Sequence, residues 1–463
     1  MADAAVKHGN ARAILVSAVA AIGGFLFGFD TAVINGAVDA IQRAFGLSSA
    51  ATGTAVASAL VGSAVGAWFA GGVADRVGRV RVMVLASVVF TLSSVGAGCA
   101  FTPWDFVAWR VLGGVGVGIA SVIAPAYIAE VAPASLRGRL GSLQQFAIVL
   151  GIFVALLADA FFAQAAGGAS NVLWFGLSAW RWMFLAGVVP SAAYGVLALQ
   201  IPESPRYLVA KGRLVEAAGV LRQMLGDIDA EAKVAGIART LSVAHVPSLR
   251  DLRGPRFGLL GIVWTGIALS MFQQLVGINV IFYYSTTLWH SVGLSEADAL
   301  TISVVTSVTN VAVTVVAIAL VDRLGRKPLL LIGSLGMAVC LGLMAWCFAH
   351  ADAAGGLVPP WGTAALVAAN GYVVFFGVSW GPVVWVLLGE MFSNRIRAAA
   401  LAVAAAAQWA TNFAVSVSFP VMASGVGLGF SYGMFCAFAV LSLFFVWRFV
   451  EETRGKELEE MVD

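Results

Sequence analysis

The chain has 463 residues, of which 60% are apolar and 11% are charged, with a net charge of +3 and a mean hydropathy of +0.93. Soluble domains are about 45–50% apolar and about 25% charged, so the composition excludes a globular protein. It indicates a protein that crosses a membrane many times and has no soluble domain of ordinary size.

Hydropathy predicts twelve membrane spans, since about 20 consecutive apolar residues cross the hydrocarbon core as a helix. The first apolar run is too long for a signal-peptide core and is interpreted as a retained helix. The long polar connection, residues 202–256, has helix-period stretches and predicts short amphipathic helices rather than a domain. The predicted spans are residues 13–37, 52–74, 82–101, 105–129, 140–163, 181–201, 257–289, 298–321, 328–350, 362–389, 398–421 and 429–449.

The distribution of basic residues indicates the orientation. If the N-terminus is cytoplasmic, every Lys and Arg lies in a cytoplasmic segment except Arg43, Arg110 and Arg181. This bias is expected of an inner-membrane protein. Arginine also outnumbers lysine, which is compatible with a bacterial source. We therefore expect a multi-pass protein of the bacterial inner membrane with both termini in the cytoplasm.

The chain repeats itself with an offset of about half its length. Recurring motifs in the same order indicate two six-helix halves of like orientation, a repeat found among secondary transporters. We predict an N-terminal half (1–201), a cytoplasmic helical linker (202–256), a C-terminal half (257–449) and a cytoplasmic tail (450–463). The paired motifs are Asp75–Arg79 with Asp322–Arg326, Glu130 and Arg137 with Glu390 and Arg397, and Pro202–Arg206 with Glu451–Arg454.

The stretch from Gln273 to Ser285 places three carboxamides and two tyrosines inside a hydrophobic span. Amides are costly in hydrocarbon unless they line a wet cavity or meet a polar ligand. Because an amide both donates and accepts, such a cluster suits an uncharged, hydroxyl-rich molecule. Gly277 among them predicts a bent helix. A lone membrane amide is often only a hydrogen-bonding contact between helices, but three within seven residues favour a binding site.

Further polar and aromatic side chains are predicted near mid-membrane. Asn310 lies about twelve residues from Asp322, and Gln408 about eleven from Arg397, which at ~1.5 Å per residue places both amides at that depth. Asn412 follows Gln408 by one helical turn and can share its face. The aromatic rings that offer flat surfaces for the C–H faces of a pyranose are Phe27, Tyr283, Trp385 and Trp409.

Four motifs in combination resemble the sugar porter family of the major facilitator superfamily, over essentially the whole chain. The chain departs from the family pattern at Val80, where a second basic residue is usual, and at Glu451, where a proline is usual. The motifs are Gly71-x-x-x-Asp75-Arg76-x-Gly78-Arg79, Pro202-Glu203-Ser204-Pro205-Arg206, Gln273-Gln274-x-x-Gly277-x-Asn279, and Gly381-Pro382-Val383-Val384-Trp385 followed by Glu390.

The resemblance implies an all-α polytopic protein with the twelve-helix major facilitator fold and sugar transport by alternating access. We expect a monomer that needs no cofactor, metal or nucleic-acid partner. The positions that match the family's sugar-binding positions are Gln145, Gln273, Gln274, Asn279, Asn310, Trp385 and Gln408.

Two further positions indicate the sugar. Ile152 and Phe282 are similar to the glucose-type members of the family, whereas the xylose-type members are more polar at the first position and smaller at the second. This favours a glucose-type hexose, with xylose or galactose as competitors, since a methylene-scale change in a pocket is worth only ~1–3 kcal/mol.

The resemblance also implies a cytoplasmic gate. Charged residues at the cytoplasmic helix ends are expected to hold these ends together while the outer side is open, and to separate when the inner side opens. Single exposed pairs contribute only about 0–1 kcal/mol, so the duplicated network carries the prediction. The gate residues are Asp75, Arg79, Glu130, Arg137, Glu203, Asp322, Arg326, Glu390, Arg397 and Glu452.

Asp30 is interpreted as the only carboxylate deep inside a span, and Arg110 as the only deep cation, both in the outer half of the membrane. Burial favours the neutral form of a carboxyl group and a nearby arginine favours the charged form, so a change in their distance can load and release a proton. Proton-symporting sugar porters resemble the chain at both positions. We predict sugar/H⁺ symport, with Asp30 as proton carrier and Arg110 as its modulator.

Other functions remain open. The main alternative is a passive sugar uniporter in which Asp30 and Arg110 form a static ion pair. A drug/H⁺ antiporter on the same fold is disfavoured by amides where a negatively lined apolar pocket is expected. A transport-inactive sugar sensor and a membrane enzyme rank lower, the latter because no metal-ligand spacing or reactive constellation occurs at membrane depth.

Overall fold

The computed structural model describes residues 2–133, 137–225, 229–243, 249–255, 258–291, 293–351, 356–357, 359–392 and 396–453. Within these ranges the helices include twelve segments long and apolar enough to cross a membrane. Each overlaps one of the twelve predicted spans, although the first runs from Ala11 to Phe45 and so extends beyond its predicted end at residue 37. The predicted all-α architecture is thereby confirmed. A two-stranded antiparallel sheet that was not predicted, β1 (Val172–Trp174) and β2 (Leu177–Ser178), lies in the connection after the fifth span.

The first six spans and the connection after them comprise eleven α-helices among the described residues. A 3-10 turn, Asn35–Ala37, separates the first two helices within one span. The helices are α1 (Ala2–Ala32), α2 (Val38–Phe45), α3 (Ser49–Val77), α4 (Arg79–Cys99), α5 (Pro103–Val131), α6 (Arg137–Ala166), α7 (Ala179–Ala186), α8 (Val188–Ala198), α9 (Pro205–Ala210), α10 (Leu214–Leu225) and α11 (Ala230–Val243).

The last six spans comprise eight described α-helices, preceded by a 3-10 turn at Leu249–Leu252. Two of these spans consist of two helices each. The helices are α12 (Gly261–Leu275), α13 (Ile278–Ser291), α14 (Glu296–Leu324), α15 (Arg326–Ala349), α16 (Trp361–Val378), α17 (Trp380–Met391), α18 (Arg397–Gly425) and α19 (Leu428–Phe449).

The predicted bend at Gly277 is a break between α12 and α13. Gly277 has φ +84°, a left-handed conformation that side chains disfavour. A Cβ atom there would lie 2.7 Å from the ring of Phe435, so packing also requires glycine. The hydroxyl of Tyr372 donates to the Val276 carbonyl at 2.8 Å, which satisfies an acceptor freed by the break.

A second break, at Ser379, was not predicted. Ser379 has φ −123° and ψ −88°, outside the helical range, and it separates α16 from α17. The fully buried Trp380 begins α17, and its indole N–H donates to Ser334 Oγ at 2.9 Å. The indole therefore anchors α17 to α15 immediately after the break.

The described chain divides into two compact units. Unit 1 comprises Met1–Thr31, Gly62–Ile152 and Phe184–Val246, and unit 2 comprises the remaining segments Ala32–Val61, Phe153–Met183 and Pro247–Asp463. The predicted domain boundaries at residues 201, 256 and 449 remain a prediction.

In unit 1 the spans pack through small residues, as is usual where helix backbones approach closely in membranes. A Cβ atom at Gly28 of α1 would lie 1.9 Å from the Ile148 carbonyl oxygen of α6, and one at Gly118 of α5 would lie 2.1 Å from the Ser63 carbonyl oxygen of α3. The short helices α9, α10 and α11 share a core that includes Leu208, in agreement with the predicted helical connection.

In unit 2, α15 packs between α16 and α19, and α12 packs against α18. An aromatic cluster of Phe419, Tyr432 and Phe435 joins α18 to α19, with ring centroids of Tyr432 and Phe435 5.9 Å apart. Edge-to-face aromatic pairs add about 0.5–1.5 kcal/mol beyond their buried area. This cluster fixes the ring of Phe435 against the break at Gly277.

Candidate functional site: an amide cluster and a buried ion pair

Gln273, in the last turn of α12, is the centre of the predicted amide cluster. Its Nε2 atom donates to the backbone carbonyls of Trp380 and Gly381, at 2.8 and 3.3 Å, at the start of α17. Its Oε1 atom accepts from Nε2 of Gln408 on α18 at 2.8 Å. One side chain thus joins α12, α17 and α18 next to the break at Ser379.

Gln274 and Asn279 extend the cluster across the break at Gly277. Gln274 Nε2 donates to Gln273 Oε1 at 3.4 Å, and Asn279 Nδ2 donates to Gln274 Oε1. Among the described residues, the Oε1 atom of Gln408 is buried without a hydrogen-bond partner. The cluster therefore joins helix ends by hydrogen bonds and also retains one acceptor without a partner among the described residues. Its geometry fits a structural contact between helices as well as a binding site for a polar ligand.

The other predicted sugar-site residues of unit 2 lie on four helices. Asn310 on α14 faces Gly377 of α16, where a Cβ atom would lie 3.5 Å from Asn310 Oδ1. Asn412 Oδ1 accepts from Ser416 Oγ at 3.2 Å. Phe282 and Tyr283 on α13 are buried, and Trp409 on α18 is half-buried. Trp385 on α17 is 42% exposed, in contrast to the fully buried Trp380.

The three predicted sugar-site residues of unit 1 are on α1 and α6. Phe27, Gln145 and Ile152 are all half-buried. The contact of the two helices at Gly28 sets their spacing, because the Gly28 Cα lies against the Ile148 backbone with no room for a side chain. Their part in sugar binding remains a prediction.

Asp30 and Arg110 are in contact inside unit 1. Arg110 Nη1 donates to Asp30 Oδ1 at 3.0 Å and to the Asp30 carbonyl oxygen at 3.1 Å, and both residues are buried. The Arg110 guanidinium also lies over the ring of Phe184, 5.7 Å from its centroid. The pair therefore joins α1 to α5 at a membrane depth where charges are costly.

The contact between these two side chains is made at one point. Asp30 Oδ2 and Arg110 Nε are both buried and have no partner among the described residues. A paired arginine and carboxylate commonly share two parallel hydrogen bonds, which hold the carboxylate ionised. Here one carboxylate oxygen has no hydrogen bond within the described residues, while Arg110 is also bonded to the Asp30 carbonyl. The role of the pair in proton coupling remains a prediction.

Four of the five predicted gate residues of unit 1 form what we name the Arg79 cluster: Asp75, Arg79, Glu130 and Glu203. Arg79 Nη2 lies 3.0 Å from Asp75 Oδ1 and 3.1 Å from Glu130 Oε1. Glu203 accepts from the backbone N–H groups of Arg79 and Val80, at 2.9 and 3.3 Å. The Glu203 carboxylate therefore caps the N-terminus of α4, where the helix dipole favours negative charge.

The Arg326 cluster of unit 2, Arg326, Glu390 and Glu452, repeats this arrangement. Arg326 donates from Nε and Nη2 to the two oxygens of Glu390, at 3.0 and 2.7 Å. Glu452 accepts from the backbone N–H groups of Arg326 and Lys327, at 3.0 and 2.9 Å, and so caps α15. The side chains of Arg137, Asp322 and Arg397, also predicted in the gate, lie outside the described residues.

The backbone conformation and the packing both require the glycine that precedes the arginine of each cluster. Gly78 and Gly325 have φ +103° and +92°. A Cβ atom would lie 2.3 Å from Glu203 Oε2 at the first position and 2.7 Å from Glu452 Oε2 at the second. The recurring Gly-Arg pair thus combines a turn that needs glycine, a capped helix start and an arginine that reaches the next glutamate.

The interpretation of Asp30 as the only carboxylate deep inside a span remains a prediction, but a second carboxylate within a predicted span was not identified from the sequence. Asp159, on α6, is fully buried, and its Oδ2 atom accepts from the backbone N–H of Gly36 at 3.0 Å. The residue lies near the end of the predicted span 140–163, and a search of every span for acidic residues finds it. Asn35, beside Gly36, was also missed, and it bonds to α13.

The chain matches the family described as Sugar (and other) transporter over residues 16–463. It is 57% identical over 452 residues to a glucose transport protein of Synechocystis sp., covering 97% of this chain and 96% of the relative. It is 40% identical over 488 residues to the D-xylose-proton symporter of Escherichia coli, covering 98% and 96%.

Solved structures give the same result. The partially occluded inward-open conformation of the xylose transporter XylE from E. coli superposes with a TM-score of 0.84 at 37% identity, covering 96% of this chain and all of that one. XylE bound to 6-bromo-6-deoxy-D-glucose, described as a major facilitator superfamily proton:xylose symporter, gives 0.81 at 38% identity, covering 98% and 99%. The chain therefore belongs to the Sugar (and other) transporter family and has the major facilitator fold.

Proposed function

We propose that this protein is a proton-coupled symporter of a monosaccharide that works by alternating access. The observation that carries the proposal is the buried one-point contact between Asp30 and Arg110, in which Oδ2 of the carboxyl group has no partner among the described residues. The relative from Escherichia coli is a D-xylose-proton symporter, which supports the same chemistry for this chain.

The pair suits a proton carrier because two opposing influences act on one carboxyl group. Burial among apolar residues favours the protonated form of Asp30, and the guanidinium of Arg110 favours the ionised form. A small change in their distance or hydration during the transport cycle then changes which form is favoured. Asp30 is the proton carrier, and Arg110 sets when the proton is bound and released.

The sugar site that we propose comprises the amide cluster with flanking aromatic rings. Gln273, Gln274, Asn279 and Gln408 form a hydrogen-bonded group in unit 2, and an amide in such a group exchanges its partner for a sugar hydroxyl without a change of charge. Trp385, with its partly exposed indole, offers a flat surface to the ring. The remaining proposed contacts are Phe27, Gln145, Ile152, Phe282, Tyr283, Asn310, Trp409 and Asn412.

The proposed substrate is a glucose-type hexose, with xylose and galactose as weaker competitors. Ile152 and Phe282 support this order, as does the name of the Synechocystis relative, a glucose transport protein. A methylene-scale difference between sugars in such a pocket is worth only ~1–3 kcal/mol, so we expect the competitors to bind more weakly rather than to be excluded.

The proposal includes the orientation of the chain in the membrane and its division into two halves. We place the protein in the inner membrane of a bacterial cell. The cytoplasm then contains both termini, the linker 202–256 and the tail 450–463. The two halves, 1–201 and 257–449, expose the sugar site first to one side of the membrane and then to the other. The Arg79 and Arg326 clusters are then at the cytoplasmic ends of the spans and act as the gate. In this proposal the protein works as a monomer.

Transport into proteoliposomes tests this function. With an inward proton gradient, labelled glucose should accumulate above its external concentration, and a protonophore should abolish the accumulation. Equilibration without accumulation would instead identify the passive uniporter. Competition by unlabelled sugars then ranks the substrates, and stronger inhibition by xylose than by glucose would reverse the proposed order.

A further inference from the structure

Asp159 is a carboxyl group in a membrane span with no counter-charge among the described residues. It is fully buried on α6, its Oδ2 atom accepts one hydrogen bond from Gly36 N–H, and its Oδ1 atom has no partner in the described part of the chain. An ionised carboxylate needs several hydrogen bonds or a cation to be buried, whereas the neutral acid does not. The observed surroundings therefore fit the protonated form.

The group that Asp159 contacts is the turn Asn35–Ala37, which divides the first span. The approach is close, since a Cβ atom at Gly36 would lie 2.6 Å from the Asp159 Cβ atom. On its other side the turn is held by α13. Asn35 Nδ2 donates to the Phe282 carbonyl and to Ser285 Oγ, both at 2.8 Å. The turn is thus fixed between α6 and α13.

We propose that Asp159 is a second protonation site, which is neutral while the turn Asn35–Ala37 is closed against α13 and ionises when this end of the protein opens to water. The inference rests on the proposed function and orientation, in which this end is extracellular. Closing then takes up one proton from the outside, and reopening returns it to the same side. Asp159 therefore makes closing pH-dependent without changing the number of protons transported per sugar.

The direction of the pH effect follows from linkage. Because the closed form holds one more proton than the open form, acidic external solution favours closing and alkaline solution favours opening. A single linked proton changes the ratio of open to closed protein by up to about tenfold per pH unit.

Other titratable groups near the turn have to be separated from Asp159. Asp39 on α2 accepts from Thr287 Oγ1 at 2.8 Å and lies 3.8 Å from His290 Nδ1, and both Asp39 and His290 are partly exposed. Arg43 donates to the Asp39 carbonyl, and Glu296 accepts from Ala169 N–H at 2.7 Å. Protonation of His290 would strengthen its contact with Asp39, so H290N is the matched control.

The experiment measures the distance between spin labels on α2 and α14 in purified protein without sugar. The labels are attached through A44C and A297C, two exposed positions, after the native cysteines are replaced by serine. The fraction of molecules with the longer distance should rise with pH. The slope should persist in H290N and disappear in D159N, whose amide keeps the shape of the neutral acid and should favour the shorter distance at every pH.

A transport measurement completes the test. D159N should still accumulate sugar in response to a proton gradient, with an unchanged ratio of protons to sugar. A pH slope that persists in D159N, a slope that is lost in H290N with Asp159 intact, or a changed proton ratio in D159N would each overturn the inference. The label distances need no transport, so a failure of the proposed symport appears separately, as absent accumulation in the unmodified protein.

Discussion

Arg110 Nη1 donates to two atoms of the same residue, the side-chain Oδ1 and the backbone carbonyl of Asp30, at 3.0 and 3.1 Å. The bond to the carbonyl does not depend on the charge of the carboxyl group. If Asp30 takes up a proton, as proposed, the bond to the carbonyl therefore keeps Arg110 attached to α1 and preserves the contact between α1 and α5. The proposed proton binding by Asp30 is thus independent of the structural contact that Arg110 makes with α1.

The first prediction is that D30N abolishes proton-driven accumulation and leaves sugar binding intact. Asparagine retains the shape of the side chain and the carbonyl contact with Arg110 but cannot exchange a proton. Uphill uptake and its pH dependence should disappear in proteoliposomes, while counterflow of labelled sugar continues at a rate similar to that of the unmodified protein. D105N, at a half-buried carboxylate at the start of α5, is the control. Accumulation by D30N would leave Asp30 as a structural ion pair only.

The second prediction concerns the amide cluster. Q273L removes the bonds to Trp380, Gly381 and Gln408, and the loss of one or two sugar hydrogen bonds at about 1–1.5 kcal/mol each should weaken sugar binding about tenfold or more. N370L is the control, because in the described part of the chain the Asn370 amide donates only to the Leu366 carbonyl of its own helix. Calorimetric or fluorescence titration with glucose measures the difference. Equal affinities in both variants would place Gln273 outside the sugar site.

The third prediction is a shift of sugar preference at position 152. I152Q introduces a polar side chain where the xylose-type members of the family are more polar. The ratio of glucose to xylose uptake should fall by about tenfold, which corresponds to ~1.4 kcal/mol. Initial rates with each labelled sugar provide the measurement. A ratio within a factor of two of that of the unmodified protein would remove Ile152 from the determinants of specificity.

The fourth prediction concerns the Arg326 cluster. E390Q weakens the two hydrogen bonds from Arg326, so the cytoplasmic side should open more readily and net transport should slow. Cysteine accessibility from the cytoplasmic side should increase. E216Q is the control, since Glu216 of α10 pairs with Arg213 and both side chains are exposed. If accessibility is the same in both variants, the cluster has no role in gating.

The fifth prediction separates helix capping from backbone strain. G325A should lower the melting temperature in detergent by more than G427A, although the two glycines have nearly the same φ, +92° and +91°. With ψ of 166° and 163°, both glycines adopt a conformation essentially restricted to glycine, so both changes cost about 1–3 kcal/mol in strain. Only at Gly325 would the new Cβ atom also meet the carboxylate that caps α15, 2.7 Å away. Equal shifts would mean that the cap of Glu452 contributes little to stability.

The sequence alone determined the number of spans, the break at Gly277 and the family, because each depends on local composition or on motifs that lie close together in the chain. Hydrocarbon excludes unpaired backbone groups, so an apolar run of sufficient length has to form a helix. The two Gly-Arg motifs likewise predict where the Arg79 and Arg326 clusters lie, because the glycine and the arginine of each motif are adjacent in the sequence. What the motifs did not indicate is that Glu203 and Glu452 cap the helices that these arginines begin.

The tertiary structure decided the features that depend on residues far apart in sequence. The break at Ser379 depends on packing of Trp380 against Ser334, and the hydrogen bonds of Gln273 depend on where α17 and α18 lie. Asp159 was overlooked because it lies near the end of an apolar run. Its contact with Gly36, 123 residues away in the sequence, identified it as a candidate functional residue. Hydropathy measures how apolar a segment is, whereas a buried polar group acquires its function from the particular atoms that the fold brings to it.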